Sequence, residues 1–321
     1  MPQPPPYDEE CAAALEPLAE LLALPVTLEV IPWLRSHLLT SGDDELRLGG
    51  AYEVTEHAVP ALSGAPDVPL LACLPTDADG PVAAIYTIHG GGMVSGDVRS
   101  GVLDVQTSWG RPLGAAVVSV GYRLAPETRH PGPVEDCYAG LCWLADHAGE
   151  LGIDPGRIVV TGGSAGGGLA AAVALMARDL GGPRLAGQVL MSPMLDDRND
   201  TLSSRQFSGP GPWNRTANET GWTALLGEGR GGPDVSAYAA PARAADLSRL
   251  PPAFVDAGSA EVFRDEAVGY ASRIWAAGGV AELHVWPGGF HGFDTLAPHC
   301  RIAREAREAR LQWLRRLLSP A

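Results

Sequence analysis

The sequence predicts an α/β fold: a mostly parallel central sheet with helices on both faces. Three observations carry that expectation. Strand-like apolar runs recur near 51–58, 69–74, 82–88, 115–121, 157–161, 187–191, 252–257 and 281–286. Helical runs near 133–150, 165–179 and 265–278 lie between most of the later ones, an alternation that reads as parallel strands joined by crossover helices. Two of the strands, 82–88 and 157–161, each end in a glycine-rich turn. The chain of 321 residues is 45% hydrophobic and 19% charged, enough apolar material to bury such a sheet.

The elements are justified in order. The start, Met1 to Glu10, is proline-rich and acidic, without the basic region and apolar core of a signal peptide. Cys11, Leu15, Leu18 and Leu22 then recur at helical spacing, and a second helical run covers Leu28 to Leu39. Residues 1–50 are therefore expected to form an N-terminal helical cap segment ahead of an α/β domain over 51–321. The segment from Asp196 to about Ala240 postpones the next strand from 187–191 to 252–257, longer than an ordinary connection. This insertion, 196–240, is expected to supply the second half of the cap. The last run, Ile302 to Leu318, is a charged amphipathic helix whose arginines and glutamates are expected to form a solvated face.

Charge and composition exclude several functions. The net charge is −15, which argues against nucleic-acid partners and anionic membranes. No apolar stretch reaches the length of a membrane span. Five scattered cysteines, an odd number, point to reduced thiols and a cytoplasmic protein. Metal-ligand spacing and a phosphate-binding loop are both missing, so neither metal nor cofactor is expected.

The chemistry is concentrated in three stretches. Gly162-Gly163-Ser164-Ala165-Gly166 has the form G-x-S-x-G between a strand and a helix. Such a turn holds a serine exposed above the sheet, with glycines that let the chain bend tightly. His89-Gly90-Gly91-Gly92 leaves backbone N–H groups bare, and these can face a developing oxyanion. Gly288-Gly289-Phe290-His291-Gly292-Phe293 follows the last strand and can bring His291 over the sheet as the base for Ser164. His284 is expected to be structural, His299 solvated, and His89 a brace for its own loop. The acid should lie between Ser164 and His291, after a strand. Glu261, the first carboxylate after the run ending Asp256-Ala257-Gly258, is the choice, to hold the imidazole tautomer. Asp196 is the other candidate. Asp265 and Glu266 are expected to cap the next helix, and Asp256 to point away within its strand.

These pieces, with Tyr122-Arg123-Leu124-Ala125-Pro126-Glu127 and Ser192-Pro193, resemble the hormone-sensitive-lipase-like branch of the α/β-hydrolases, the bacterial family IV carboxylesterases. The resemblance spans about residues 80–295. It implies an α/β-hydrolase fold with a helical cap, an ester hydrolase with Ser164 as nucleophile and His291 as base, and an oxyanion hole from the N–H groups of Gly90, Gly91 and Ala165. It also implies a homodimer through the sheet edge near the last strand. Two positions depart from the family. Gly163 stands where Asp or Thr usually precedes the serine, and Glu261 opens Glu-Val-Phe-Arg-Asp-Glu where the family's acid is usually Asp.

The expected reaction is acyl transfer from a small, short-acyl ester to water through an acyl-enzyme. Met93, Phe207, Trp213 and Trp222 are the candidate substrate-binding residues. A lactonase or amidase would use the same three groups. A non-catalytic binding protein on this fold would lack one of them.

Overall fold

The computed structural model describes residues 3–38, 40–62 and 64–319. Met1, Pro2, Leu39, Ser63, Pro320 and Ala321 lie outside them, and with Leu39 the expected end of the second helical run.

The N-terminal segment is built from short helices: α1 (Glu9–Leu15), α2 (Ala19–Leu22), α3 (Ile31–Ser36) and α4 (Asp43–Leu46). Asp8 caps α1 by accepting the amides of Glu10 and Cys11 at 3.0 and 3.2 Å, which satisfies two donors that a helix start leaves open. Arg35 on α3 ties this segment to the domain. It donates to the carbonyls of Val94 and Ala125 at 2.7 and 2.8 Å and forks onto Glu127.

Eight strands follow: β1 (Tyr52–Val59), β2 (Val68–Pro75), β3 (Val82–Ile88), β4 (Ala116–Val120), β5 (Ile153–Gly163), β6 (Gly187–Met191), β7 (Ala253–Gly258) and β8 (Ala281–Trp286). They form one sheet in the order β1-β2-β4-β3-β5-β6-β7-β8. β2 is antiparallel to β1 and β4, and every later pairing is parallel. Period-two alternation sorts the core onto two faces. Tyr86, Val118, Val160, Leu190 and Val255 turn one way. Their neighbours Ile85, Val117, Val159, Val189 and Phe254 turn the other. Both faces are covered, so β4 and β7 are buried at every residue, as strands of parallel sheets are.

The segment between β3 and β4 is helical as well, beyond the runs expected from sequence: α5 (Val102–Val105), a π-helical turn over Gln106–Gly110, and α6 (Arg111–Leu113). Then come α7 (Gly132–Asp146) and α8 (Ala165–Asp179). The insertion after β6 holds α9 (Leu202–Gln206), capped by Thr201, and α10 (Arg215–Leu226), capped by Asn214. The chain continues through α11 (Arg264–Ala276), α12 (Phe293–Leu296) and α13 (Arg301–Leu318). Among the described residues no helix is long and apolar enough to cross a membrane.

One expectation about α13 fails. Arg310 is not on a solvated face; it is 2% exposed. It donates to Asp256 of β7 at 2.9 Å and bonds Asp294 of α12. A guanidinium taken out of water needs paired acceptors, and two carboxylates supply them. Asp256 also accepts from the Trp286 indole at 2.9 Å.

Register fixes where the site forms. Ile88 pairs with Gly162, Gly163 with Met191, and Gly258 with Trp286. The carboxyl ends of β3, β5, β6, β7 and β8 therefore stop together. The loops leaving them emerge side by side, where ligands bind in open α/β sheets.

Candidate active site

Ser164 sits alone between β5 and α8 with φ 58° and ψ −123°. A non-glycine residue there is strained by about 1–3 kcal/mol and needs its surroundings to hold it. Two backbone bonds do so: the Ser164 amide donates to Met191, and its carbonyl accepts from Met194, both at 2.9 Å. The sharp turn also needs α8 to start hard against β3. A Cβ on Gly166 would lie 2.0 Å from the Ile88 carbonyl oxygen, so only glycine permits that approach.

His291 comes from the loop between β8 and α12, and Glu261 from the turn between β7 and α11. The structure brings all three together. His291 Nε2 lies 3.0 Å from Ser164 Oγ, and His291 Nδ1 lies 2.7 Å from Glu261 Oε2. Phe263 meets the imidazole edge-on with ring centres 5.0 Å apart. Glu261 is almost wholly buried, and its other oxygen, Oε1, accepts from the Ser192 hydroxyl at 2.6 Å and the Gly258 amide at 2.8 Å. A buried carboxylate with polar partners on both oxygens is fixed in one orientation. Sequence reasoning missed Ser192 as the partner of Glu261, although Ser192-Pro193 was among the motif residues.

The other carboxylates are occupied elsewhere. Asp196 is forked onto Arg198 at 2.8 and 2.6 Å. Asp265 and Glu266 stand in the first turn of α11, but they do not serve their own helix start. Asp265 accepts the Ser203 amide at 2.7 Å, and Glu266 accepts the amides of Leu195 and Asp196 at 2.8 and 2.6 Å. Burial pushes the Glu266 carboxyl up, against the pull of those two amides. These contacts hold the start of the insertion to α11, a long-range use that local helix-start rules cannot show.

Gly90 and Gly91 border the same space. Among the described residues neither their N–H groups nor that of Ala165, the first residue of α8, donate to any protein acceptor. Gly91 has φ 103°, and a Cβ on it would meet the Ser95 carbonyl oxygen at 2.1 Å. His89 braces the loop, as expected. Its Nδ1 lies 2.8 Å from the Gly90 carbonyl, and its ring stacks on Tyr122 at 4.1 Å. The Tyr122 hydroxyl donates to the His89 carbonyl at 3.0 Å.

Burial lowers the His89 pKa from 6.5 to about 4. The unfolded chain takes up this proton below about pH 6.5, the folded chain only near 4. The residue's contribution to stability is thus complete at neutral pH and is lost as pH falls from 6.5 towards 4. Between pH 7 and about 4.5 the loss from this group is about 2–3 kcal/mol. Urea unfolding of wild type and His89→Gln at the two pH values checks it. The variant is expected to lose less stability on acidification by about that amount, and equal losses would refute it.

A cavity of about 440 Å³ opens over Ser164 and His291, lined also by Gly90, Gly91, Ser95, Asp104, Gly163 and Ser192. Gly163, the departure from the family pattern, leaves room there: a Cβ on it would find nothing nearer than Met191 Cε and the Met191 carbonyl oxygen, both at 3.9 Å. A second cavity of about 510 Å³ adjoins His291 and is walled by Pro4 to Tyr7, Phe207 and Trp213. The other two expected pocket residues do not reach either cavity. Met93 is 1% exposed and Trp222 is fully buried, both in the main core. The reason is how α10 docks. Gly221 comes so close that a Cβ on it would lie 2.7 Å from the Gly92 carbonyl oxygen, and Trp222 beside it turns inward.

A serine on a strand-to-helix elbow, met by a histidine and an acid from later loops of one parallel sheet, defines the α/β-hydrolase class. The model of the α/β-hydrolase fold family matches residues 85–295. Esterase LipI of Mycobacterium tuberculosis is 36% identical over 250 residues, covering 76% of this chain and 75% of LipI. Carboxylesterase NlhH of the same organism is 35% identical over 263 residues, covering 79% and 80%. Among solved structures, a bacterial heroin esterase superposes with TM-score 0.88 at 40% identity over 98% of both chains. The chain belongs to the α/β-hydrolase fold family, in its hormone-sensitive-lipase-like carboxylesterase branch, and is a carboxylic ester hydrolase.

Proposed function

We propose that this hydrolase cleaves small, short-acyl esters through an acyl-enzyme formed on Ser164. The observation that carries the reading is the continuous line Glu261–His291–Ser164, with contacts of 2.7 and 3.0 Å. His291 takes the serine proton as Oγ attacks the ester carbonyl. Glu261 keeps the Nδ1 proton on the ring and offsets the imidazolium charge. The free N–H groups of Gly90, Gly91 and Ala165 receive the oxyanion, and one such donor is worth about 3–4 kcal/mol in the transition state. His291 then gives its proton to the leaving alcohol and draws one from water for deacylation.

A short acyl group is supported by the polar side chains that interrupt the mostly apolar lining of the cavity over Ser164: Ser95, Ser100, Asp104 and Thr295. A long alkyl chain laid against them would desolvate polar groups without replacing their hydrogen bonds. The N-terminal segment 1–50 and the insertion 196–240 act as the cap; Phe207 and Trp213 of the insertion border the leaving-group side, next to His291. The open edge of β8, with Val280 and Val285 exposed, is the face proposed for a homodimer.

Steady-state rates on p-nitrophenyl esters from acetate to laurate test the substrate reading. We expect kcat/KM to peak at acetate or butyrate and to fall at least about 10-fold by laurate, since each 1.4 kcal/mol of lost binding is a factor of ten. A maximum at laurate would overturn it. Hydrolysis of anilides but of no ester would favour the amidase reading.

A further inference from the structure

At the amino ends of β6 and β7, on the side of the sheet away from the catalytic loops, lies a cavity of about 550 Å³. Strands of five or six residues separate it from Ser164, a span of about 17–20 Å. Among the described residues its wall carries three arginines, Arg178, Arg184 and Arg249, and no carboxylate.

In this chain that is unusual. It has 38 acidic residues against 23 arginines and a net charge of −15, so acceptors for an arginine are plentiful. Yet among the described residues Arg184 and Arg249 make no hydrogen bond or ion pair, and both are exposed. The carboxylates beside the rim are engaged. Asp246 feels the field of Arg249, but its oxygens are taken by the amide and hydroxyl of Ser248 at 2.8 and 3.0 Å. Asp154 accepts the Gly156 amide at 2.9 Å.

Arg178 is the fixed member. Its side chain is 10% exposed and held by Asp179 at 2.7 Å and by the carbonyls of Asp246 and Ser248 at 2.9 and 3.0 Å. Asp179 in turn accepts from the Tyr238 hydroxyl at 3.0 Å. These bonds use Nε and Nη1, and among the described residues the Nη2 end of the fork has no hydrogen-bond partner. Arg249 is held at φ 57°, in the left-handed region that an arginine rarely occupies. The remaining wall is apolar: Ala174, Ala177, Leu185, Leu250 and Leu317.

We propose that this cavity binds a small phosphate-bearing anion with an apolar or uncharged body, apart from the ester site. Three guanidiniums around one hollow suit a tetrahedral oxyanion, which accepts from several directions, better than a carboxylate, which one fork satisfies. The volume exceeds that of a lone phosphate, and the alanine and leucine walls accept the rest of the ligand.

The probe is inorganic pyrophosphate, added to the full chain and compared with sodium chloride at matched ionic strength. At 10 mM we expect Tm to rise by about 2 °C over the chloride control. The Arg184→Gln/Arg249→Gln double variant should lose that shift. Both side chains are exposed and outside the catalytic machinery, so its Tm in chloride and its rate on p-nitrophenyl acetate should match wild type. Titration calorimetry should give one site per chain for wild type and none for the variant. An equal shift in the two proteins, or no shift in wild type beyond chloride, would overturn the proposal.

Discussion

Ser164→Ala is expected to lower kcat on p-nitrophenyl acetate by about 10⁴-fold or more while Tm stays within about 2 °C of wild type. The rate loss follows from losing the hydroxyl that, among the described residues, alone bonds His291 Nε2, at 3.0 Å. The unchanged stability follows from what holds this residue. Its turn is secured by backbone bonds to Met191 and Met194 and by the closeness of Gly166 to β3, none of which uses Oγ. A residual rate above water should persist, because the N–H groups of Gly90, Gly91 and Ala165 would still receive the oxyanion. Steady-state kinetics beside a melting curve decide the matter. A variant keeping more than about a tenth of the wild-type rate would mean another nucleophile.

Glu261→Gln is the second large effect: about 10³–10⁴-fold in kcat. The amide has nearly the shape of the acid but only one oxygen, and both ends of this carboxylate face donors. Oε1 meets the Ser192 hydroxyl and the Gly258 amide, and Oε2 meets His291 Nδ1. If the NH₂ turns to His291, it demands the wrong imidazole tautomer. If it turns to Gly258, two N–H groups collide. Asp196 and Asp256 cannot stand in, since Arg198 and Arg310 hold them. Near-wild-type kcat in Glu261→Gln would show that the acid lies elsewhere. A loss confined to KM would show that Glu261 acts on binding alone.

Strands and site were legible where local chemistry decides. The runs at 82–88, 187–191 and 281–286 and the helix at 165–179 match their observed limits, because apolar stretches there end at glycine or polar turns. Ser164, His291 and Glu261 could be placed by chain order and by position after strands. What could not be read depends on partners distant in sequence. Arg310 looks like any other arginine of a charged helix until Asp256 and Asp294 are seen around it. Trp222 is an expected pocket residue, and the docking of α10, which turns it into the core, depends on contacts distant in sequence. Asp265 and Glu266 carry a helix-start signature, yet their acceptors serve amides some sixty to seventy positions earlier. The helical segment at 102–113 did carry apolar residues at helical spacing, Val102, Val105 and Trp109, but it is short and broken by a π turn.

The buried arginine of α13 sets an order for assembly during synthesis. The elbow serine, the acid and the histidine are all joined to the chain before residue 310. Until that residue arrives, Asp256 and Asp294 are two carboxylates facing one low-dielectric space without a counter-charge, and burial raises the pKa of Asp256. The loop between β8 and α12, which carries His291, is therefore seated through the contact of Asp294 with Arg310. The coupling of nucleophile to base is thus tied to the docking of the helix that comes latest in the chain.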